Sequence, residues 1–213
     1  MNRTLATTVI FSGFFLLGIL LLMWGILLPR MAAELTMSSF VSGALFTLFS
    51  LGMMMGAIIG GKYAARFEFL PLFASLSLVN ALFIVIAGLM PNWPGLLVIV
   101  FIVGVLSSCK ITIGHTVIAQ LYVEKRFAMM GIMDFMFSLG TLVASFYVSL
   151  IFLWQANWRL PLHFLAALWV ILALFTFLSV RNAKAKLAVE NKQEEATKQT
   201  LAFATIVRQP VFL

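Results

Sequence analysis

The sequence predicts an all-α protein embedded in a membrane, because apolar residues dominate it and fall into six long blocks. Of its 213 residues, 63% are hydrophobic and 10% are charged, whereas an ordinary soluble domain has about 25% charged residues. A helix needs about 20 residues to cross about 30 Å of hydrocarbon. The six blocks have that length: 8–28, 39–59, 70–90, 95–121, 127–153 and 160–180.

Helices account for these blocks better than barrel strands do. Only α-helices and closed β-barrels satisfy their backbone hydrogen bonds in lipid, and barrel strands are about 10 residues of alternating character. The first block is too long for the apolar part of a secretory signal, and five more blocks follow it. We therefore expect a bundle of six transmembrane helices over residues 1–180.

The positive charge of the chain indicates its orientation rather than a nucleic-acid partner. The net charge is +7, but the basic residues are dispersed among loops and form no groove-sized patch. Of 14 Lys and Arg residues, 11 lie before the first block, after the second and fourth blocks, or in the tail. Cytoplasmic loops are rich in Lys and Arg, so both termini are expected in the cytoplasm, with the helices in a bacterial inner membrane. Three tryptophans fall at the opposite ends of the blocks, where an aromatic belt is expected: Trp93, Trp154 and Trp158.

The chain changes character after the sixth block. Residues 181–200 are rich in Lys, Glu, Gln and Asn, which indicates a charged cytoplasmic linker. Apolar residues return from residue 201, and the final RQPVFL places a proline before an apolar run. Residues 201–213 are therefore expected to approach a seventh helix.

This organisation resembles the N-terminal half of a major facilitator superfamily transporter. IGHTVIAQLYVEKR at the end of the fourth helix and MDFMFSLGT in the fifth are similar to the fucose-permease-like and TsgA-like branch. The resemblance implies a three-plus-three inverted repeat and alternating access between two six-helix halves, with the substrate site near the midplane. It also implies a partner for this half: a second half of the same chain or a dimer mate.

Two signatures of the superfamily are altered here. The loop after the second helix, GGKYAARFEF, keeps Gly60, Gly61, Lys62 and Arg66, but Ala64 stands about where an acid is expected. This puts in doubt a gating salt bridge built on that acid. No proline lies between residues 127 and 153, so the Gly-Pro antiporter signature is absent. Symport or facilitation is therefore favoured over antiport.

Glycines at every fourth position give the second helix one face without side chains. Gly52, Gly56 and Gly60 form this face, which allows another helix to approach closely. It predicts either simple helix packing or a gating surface that slides between the two halves.

The fifth helix carries a polar stripe. At 100° per residue, one face collects Gly131, Asp134, Ser138, Thr141, Ser145 and Ser149. Hydroxyl groups can bond to their own helix backbone, but Asp134 is the only Asp of the chain. A carboxylate in the membrane costs roughly 2.5–3.5 kcal/mol on insertion scales and usually faces a partner or a wet cavity.

The fourth helix offers two partners for that carboxylate. Ser108, Thr112 and His115 share one face, and Lys110 lies roughly 160–200° around the helix. His115 or Lys110 can pair with Asp134, either to fix the two helices or to bind substrate and couple protons. A lysine at position 110, where the resembling branch has an acid, hints at an anionic or polar substrate. The candidate substrate or coupling-ion site is Asp134, Lys110, His115, Ser138, Thr112 and Thr141.

The favoured function is transport of a small polar solute, with protons as a candidate coupling ion. A membrane enzyme is disfavoured, because the spans hold one Asp and no Glu for a metal site or carboxylate dyad, and no G-x-S-x-G elbow occurs. No cofactor is expected. The alternative is a noncatalytic membrane subunit for assembly or partner binding. A gene that continues into six further apolar spans would favour the transporter interpretation. A stop codon after Leu213 would favour the subunit interpretation.

The orientation is testable by cysteine labelling in sealed cells. An impermeant thiol reagent added outside is expected to label Asn92→Cys and Asn157→Cys but not Lys184→Cys, because 11 basic residues mark the other side. Labelling of Lys184→Cys without Asn157→Cys would reverse the orientation.

Overall fold

The structure, a computed structural model, describes residues 3–64 and 67–182. These residues form long helices joined by short turns, without strands. Six of these helices are long and apolar enough to cross a membrane. They are α1 (Arg3–Glu34), α2 (Ser39–Ala64), α3 (Phe69–Leu89), α4 (Trp93–Leu121), α5 (Arg126–Trp154) and α6 (Arg159–Asn182). The predicted fold class, an all-α polytopic membrane protein, is confirmed.

The helices extend beyond the predicted apolar blocks at several ends. α1 begins at Arg3 and continues to Glu34, and α6 continues to Asn182. Three predicted features lie outside the described residues: the rest of the linker (residues 183–200), the approach to a seventh helix (residues 201–213), and Arg66.

Local sequence explains two of the helix ends. Asn92 caps α4, because its side-chain oxygen accepts a hydrogen bond of 3.0 Å from the Gly95 amide, and Pro94 fits the first turn, where its missing N–H is not needed. After α1 the backbone turns at Thr36, whose φ of 51° is left-handed. The amides of Leu35 and Met37 bond back to α1 on either side of it, which closes the end of the helix.

Among α1 to α5, the most extensive contacts join α2 to α4 and α1 to α5. Glycine permits both contacts. A Cβ atom added at Gly52 or Gly56 would come closer than 3.0 Å to a backbone carbonyl of α4. The helices therefore touch backbone to backbone, which side chains would prevent.

The two helix pairs are built alike, as an inverted repeat requires. In each pair, a glycine of one helix meets the carbonyl oxygen that lies three residues before a glycine of the other. The four contacts are Gly52 to Phe101, Gly104 to Phe49, Gly140 to Phe15 and Gly18 to Phe137. This likeness agrees with the predicted three-plus-three repeat, in which α1 corresponds to α4 and α2 to α5.

Long-range contacts tie α1 to α6 where α1 ends and α6 begins. Trp158 Nε1 donates a 2.7 Å hydrogen bond to Glu34, and Arg159 forms an ion pair with the same carboxylate. Trp158 is only 2% exposed. Its predicted place in an aromatic belt is therefore wrong, since this tryptophan packs inside the bundle, whereas Trp154 is 86% exposed.

The glycine contacts predict a sharp difference within α2. Gly56→Ala is expected to lower stability by about 1–3 kcal/mol, the usual cost of overpacking, because its Cβ would collide with the Val105 carbonyl. Gly61→Ala is the matched control, since a Cβ there meets nothing within 4 Å. Thermal unfolding of both variants in detergent measures the difference. Equal stability of the two variants would contradict this packing.

Candidate functional site

The polar stripe of α5 lies on an open face of the bundle. α5 packs against α1 through small and apolar residues, among them Gly140 and Ala144, which are buried. The stripe lies to one side of this contact, and the described residues leave most of it exposed. Exposed members are Asp134, Ser138, Ser145 and Ser149, and Thr141 is half-buried.

Asp134 pairs with His115 across α4 and α5. His115 Nε2 lies 3.4 Å from Asp134 Oδ1, and the two side chains are 36% and 64% exposed. The other ring nitrogen, Nδ1, lies 2.9 Å from the carbonyl oxygen of Ile111. The Phe14 ring of α1 packs edge-on against the imidazole, with centroids 5.3 Å apart. Of the two partners left open by the sequence, the structure thus brings His115 to Asp134.

The pair lies at a shallow depth within the helices. His115 is six residues before Leu121 at the end of α4, and Asp134 is eight residues after Arg126 at the start of α5. At about 1.5 Å per residue these are roughly 9 and 12 Å along the helices. The two side chains therefore lie at similar depths.

The hydroxyl groups next to Asp134 use their hydrogens within α5. Ser138 Oγ donates to the Asp134 carbonyl over 2.9 Å, and Thr141 Oγ1 donates to the Ser138 carbonyl over 2.7 Å. Their oxygens keep lone pairs for an incoming donor. With the carboxylate of Asp134, this surface is suited to ligands that present N–H or O–H groups or positive charge.

Lys110 lies elsewhere, in the core on another side of α4. Its side chain is 0% exposed, and its Nζ lies 3.3 Å from the centre of the Trp169 ring of α6. Among the described residues, Nζ has no hydrogen-bond partner. A buried unpaired ammonium costs several kcal/mol, of which a cation–π contact offsets about 2 kcal/mol. Lys110 therefore does not share the open face with His115, as the helical spacing predicted.

The α2 glycines and Thr112 belong to the contact between α2 and α4. Gly52, Gly56 and Gly60 are all buried against α4, and the Cβ of Thr112 would lie 3.2 Å from a Cβ added at Gly60. The observed arrangement is helix packing within the bundle, and a sliding surface between two halves stays a prediction. Lys62, at the end of α2, is exposed; its role in gating stays a prediction.

The sequence does not predict that α1 and α2 line a small pocket. This pocket of about 10 Å³ lies where α1, α2, α4 and α5 meet, and Ser107 in its wall is a buried hydroxyl without a partner among the described residues. The other residues of the pocket are apolar, and in a sequence an apolar residue that lines a cavity cannot be distinguished from one that contacts lipid. The lining is Leu17, Leu20, Leu21, Phe49, Met53, Ser107, Ile111 and Phe137.

Comparison with known proteins identifies the family. The family model of the Major Facilitator Superfamily matches residues 9–213. The chain belongs to the major facilitator superfamily. Membership indicates a transporter of the major facilitator type, in a family that is generally not enzymatic, and it confirms the resemblance at the level of the superfamily. No curated protein matches the chain. Among the described residues, no group of three His, Cys, Asp or Glu side chains could hold a metal ion.

The position of Lys110 predicts that its charge does not stabilise the bundle. Lys110→Met keeps the length of the side chain and removes an unpaired amine, so we expect the bundle to unfold at the same temperature or higher. Lys110→Asp is expected to destabilise it severely, because a carboxylate would face the Trp169 ring. Thermal unfolding of both variants tests this, with exposed Lys62→Met as a control. A large loss of stability in Lys110→Met would show that the amine has a favourable partner.

Proposed function

We propose that this chain is a six-helix half of a secondary active transporter that moves a small polar solute by alternating access. The observation that carries the proposal is the exposed polar stripe of α5 around Asp134. A carboxylate left in hydrocarbon costs roughly 2.5–3.5 kcal/mol on insertion scales. The cost is avoided if the stripe faces a water-filled cavity between two halves.

The other exposed side of α5 supports this assignment. Leu142, Phe146 and Leu150 are 65–71% exposed, and all are apolar, as lipid contact requires. The same helix thus shows one apolar and one polar exposed side. Two exposed sides of opposite chemistry indicate two surroundings, lipid on one and water or another helix bundle on the other.

The second half is either a further part of the same chain or a dimer mate. Alternating access needs two bundles that rock around a site near the midplane, and the described helices supply one wall of such a site. The charge distribution supports cytoplasmic termini in a bacterial inner membrane. The fucose-permease-like and TsgA-like branch and symport remain proposals that rest on sequence.

The charge of the open face refines the substrate. The prediction of an anionic substrate rested on Lys110, which is buried over the Trp169 ring. Asp134 is the carboxylate of the stripe, and His115 lies beside it. We therefore favour a polar solute that presents hydrogen-bond donors or positive charge, with Asp134 as the acceptor and Ser138 and Thr141 as neighbours.

Transport assays test the proposal. In proteoliposomes with a panel of radiolabelled polar solutes, the protein with both halves is expected to concentrate a solute. Asp134→Asn is expected to lower that rate at least about 10-fold, the effect of losing one charged hydrogen bond. Residues 1–213 alone are expected to insert but not to move solute uphill.

Leu142→Ala is the matched control, since it changes the apolar side of the same helix and should leave the rate unchanged. An Asp134→Asn protein that inserts and transports at the wild-type rate would refute the role of the stripe. Uphill uptake by residues 1–213 alone would make the chain a complete carrier, and absence of uptake by any form would favour a noncatalytic subunit.

A further inference from the structure

Two apolar grooves run along α6, one on each side of it. The first lies between α3 and α6 and has a volume of about 550 Å³. The second lies between α5 and α6 and has a volume of about 460 Å³. Alanines at positions 81, 166 and 167 line the first groove, and the missing side-chain volume opens it. Both grooves are as large as small-molecule sites, and no residue of the polar stripe lines either of them.

The two grooves differ in their polar side chains. In the α5–α6 groove, the Tyr147 hydroxyl donates a 2.7 Å hydrogen bond to the Pro161 carbonyl, and Trp154 is exposed at the end of α5. In the α3–α6 groove, His163 is the one polar side chain among the described residues that line it. The α3–α6 groove therefore combines an apolar surface with a single imidazole.

Gly88 of α3 sets the orientation of the His163 ring. A Cβ atom added at Gly88 would lie 2.6 Å from Nε2 and 3.1 Å from Cδ2, so only glycine leaves room for this edge of the ring. Nε2 is enclosed there and has no hydrogen-bond partner among the described residues. Nδ1 lies on the other edge of the imidazole, which faces the groove.

This orientation selects the nitrogen that carries the proton. A neutral imidazole has one N–H and one bare nitrogen. An N–H on Nε2 would be a buried donor without an acceptor, which is costly, whereas an N–H on Nδ1 can donate to an acceptor that enters the groove. His163 thus presents a hydrogen-bond donor, and the groove requires an occupant that brings an acceptor.

The donor lies near one end of the groove. His163 is four residues after Arg159, the first residue of α6, which is about 6 Å along the helix. The groove continues from His163 to Ile171, about 12 Å further towards the middle of the membrane. Half of the hydrocarbon layer is about 15 Å thick. The groove therefore lies within one leaflet, with its donor on the headgroup side.

We propose that the α3–α6 groove binds an acyl chain of a membrane phospholipid, whose ester carbonyl accepts a hydrogen bond from His163 Nδ1. A diacyl phospholipid has the same order of polarity as the groove: an ester acceptor where hydrocarbon meets headgroup, followed by an apolar chain within one leaflet. Water would satisfy the donor but would leave the apolar walls unfilled. A purely apolar occupant would fill the walls but would leave the donor unpaired.

Paired ester and ether lipids test for this hydrogen bond. The full chain, purified in detergent, is titrated with diacyl phosphatidylglycerol or with the dialkyl analogue of equal chain length, which has no ester carbonyl. Native mass spectrometry measures the affinity for the first bound lipid. We expect a Kd about 3–10-fold lower for the diacyl lipid, the effect of one neutral hydrogen bond. Both lipids are compared on the wild-type chain, so this result needs no variant to fold.

Two variants locate the hydrogen bond. His163→Phe keeps an aromatic ring in the groove and removes Nδ1, so it is expected to bind both lipids equally, with the weaker affinity of the ether lipid. Phe164→Leu is the matched control, because Phe164 lines the α5–α6 groove. It is expected to keep the preference for the diacyl lipid.

Equal affinity of the wild-type chain for the two lipids would overturn the proposal. An ester preference that survives in His163→Phe would overturn it as well, because the bond would then lie elsewhere. A stable dimer that excludes lipid would assign the groove to a second copy of the chain and refute the lipid site. The titration needs no transported solute, so its outcome is separate from that of the uptake assay.

Discussion

The backbone contacts at glycine are the constraint on which the rest of the bundle depends. Gly140 of α5 rests against the Phe15 carbonyl of α1, and this contact leaves no freedom in how α5 is rotated. At 100° per residue, Asp134 and Ser138 then lie roughly 120–160° around the helix from Gly140. The polar stripe is exposed because the glycine is buried. A bulkier residue at position 140 would therefore displace the candidate site as well as the packing.

The same constraint separates the two basic side chains of α4. Gly104 fixes α4 against the Phe49 carbonyl of α2, and the helix then directs His115 towards α5 and Lys110 towards α6. The two side chains are five residues apart, which is more than one turn. One helix thus supplies both a partner for Asp134 at the open face and an amine buried in the core.

Much of this architecture follows from composition and spacing. The six helices and the stripe around Asp134 could be read from the sequence, because each depends on one helix at a time. The partner of Asp134 depends on how two helices are rotated against each other, so the sequence left His115 and Lys110 open. Trp158 was misplaced for a similar reason, since its partner Glu34 is 124 residues away. The apolar pocket residues of α1 and α2 carry no signal that distinguishes a cavity from lipid.

Equivalent positions of the inverted repeat carry ionisable residues at one end of the bundle and apolar residues at the other. Asp134 lies six residues before Gly140, and the equivalent position, six before Gly52, is Phe46. His115 lies 11 residues after Gly104, and 11 after Gly18 is Pro29. The scaffold is built twice, but the ionisable pair is present once, and its counterpart is a phenylalanine and a proline, both exposed. Because the repeat is inverted, the pair and its apolar counterpart lie towards opposite ends of the helices. A symmetric scaffold with ionisable side chains at one end only has two different sides, so the open face has a direction that its backbone lacks.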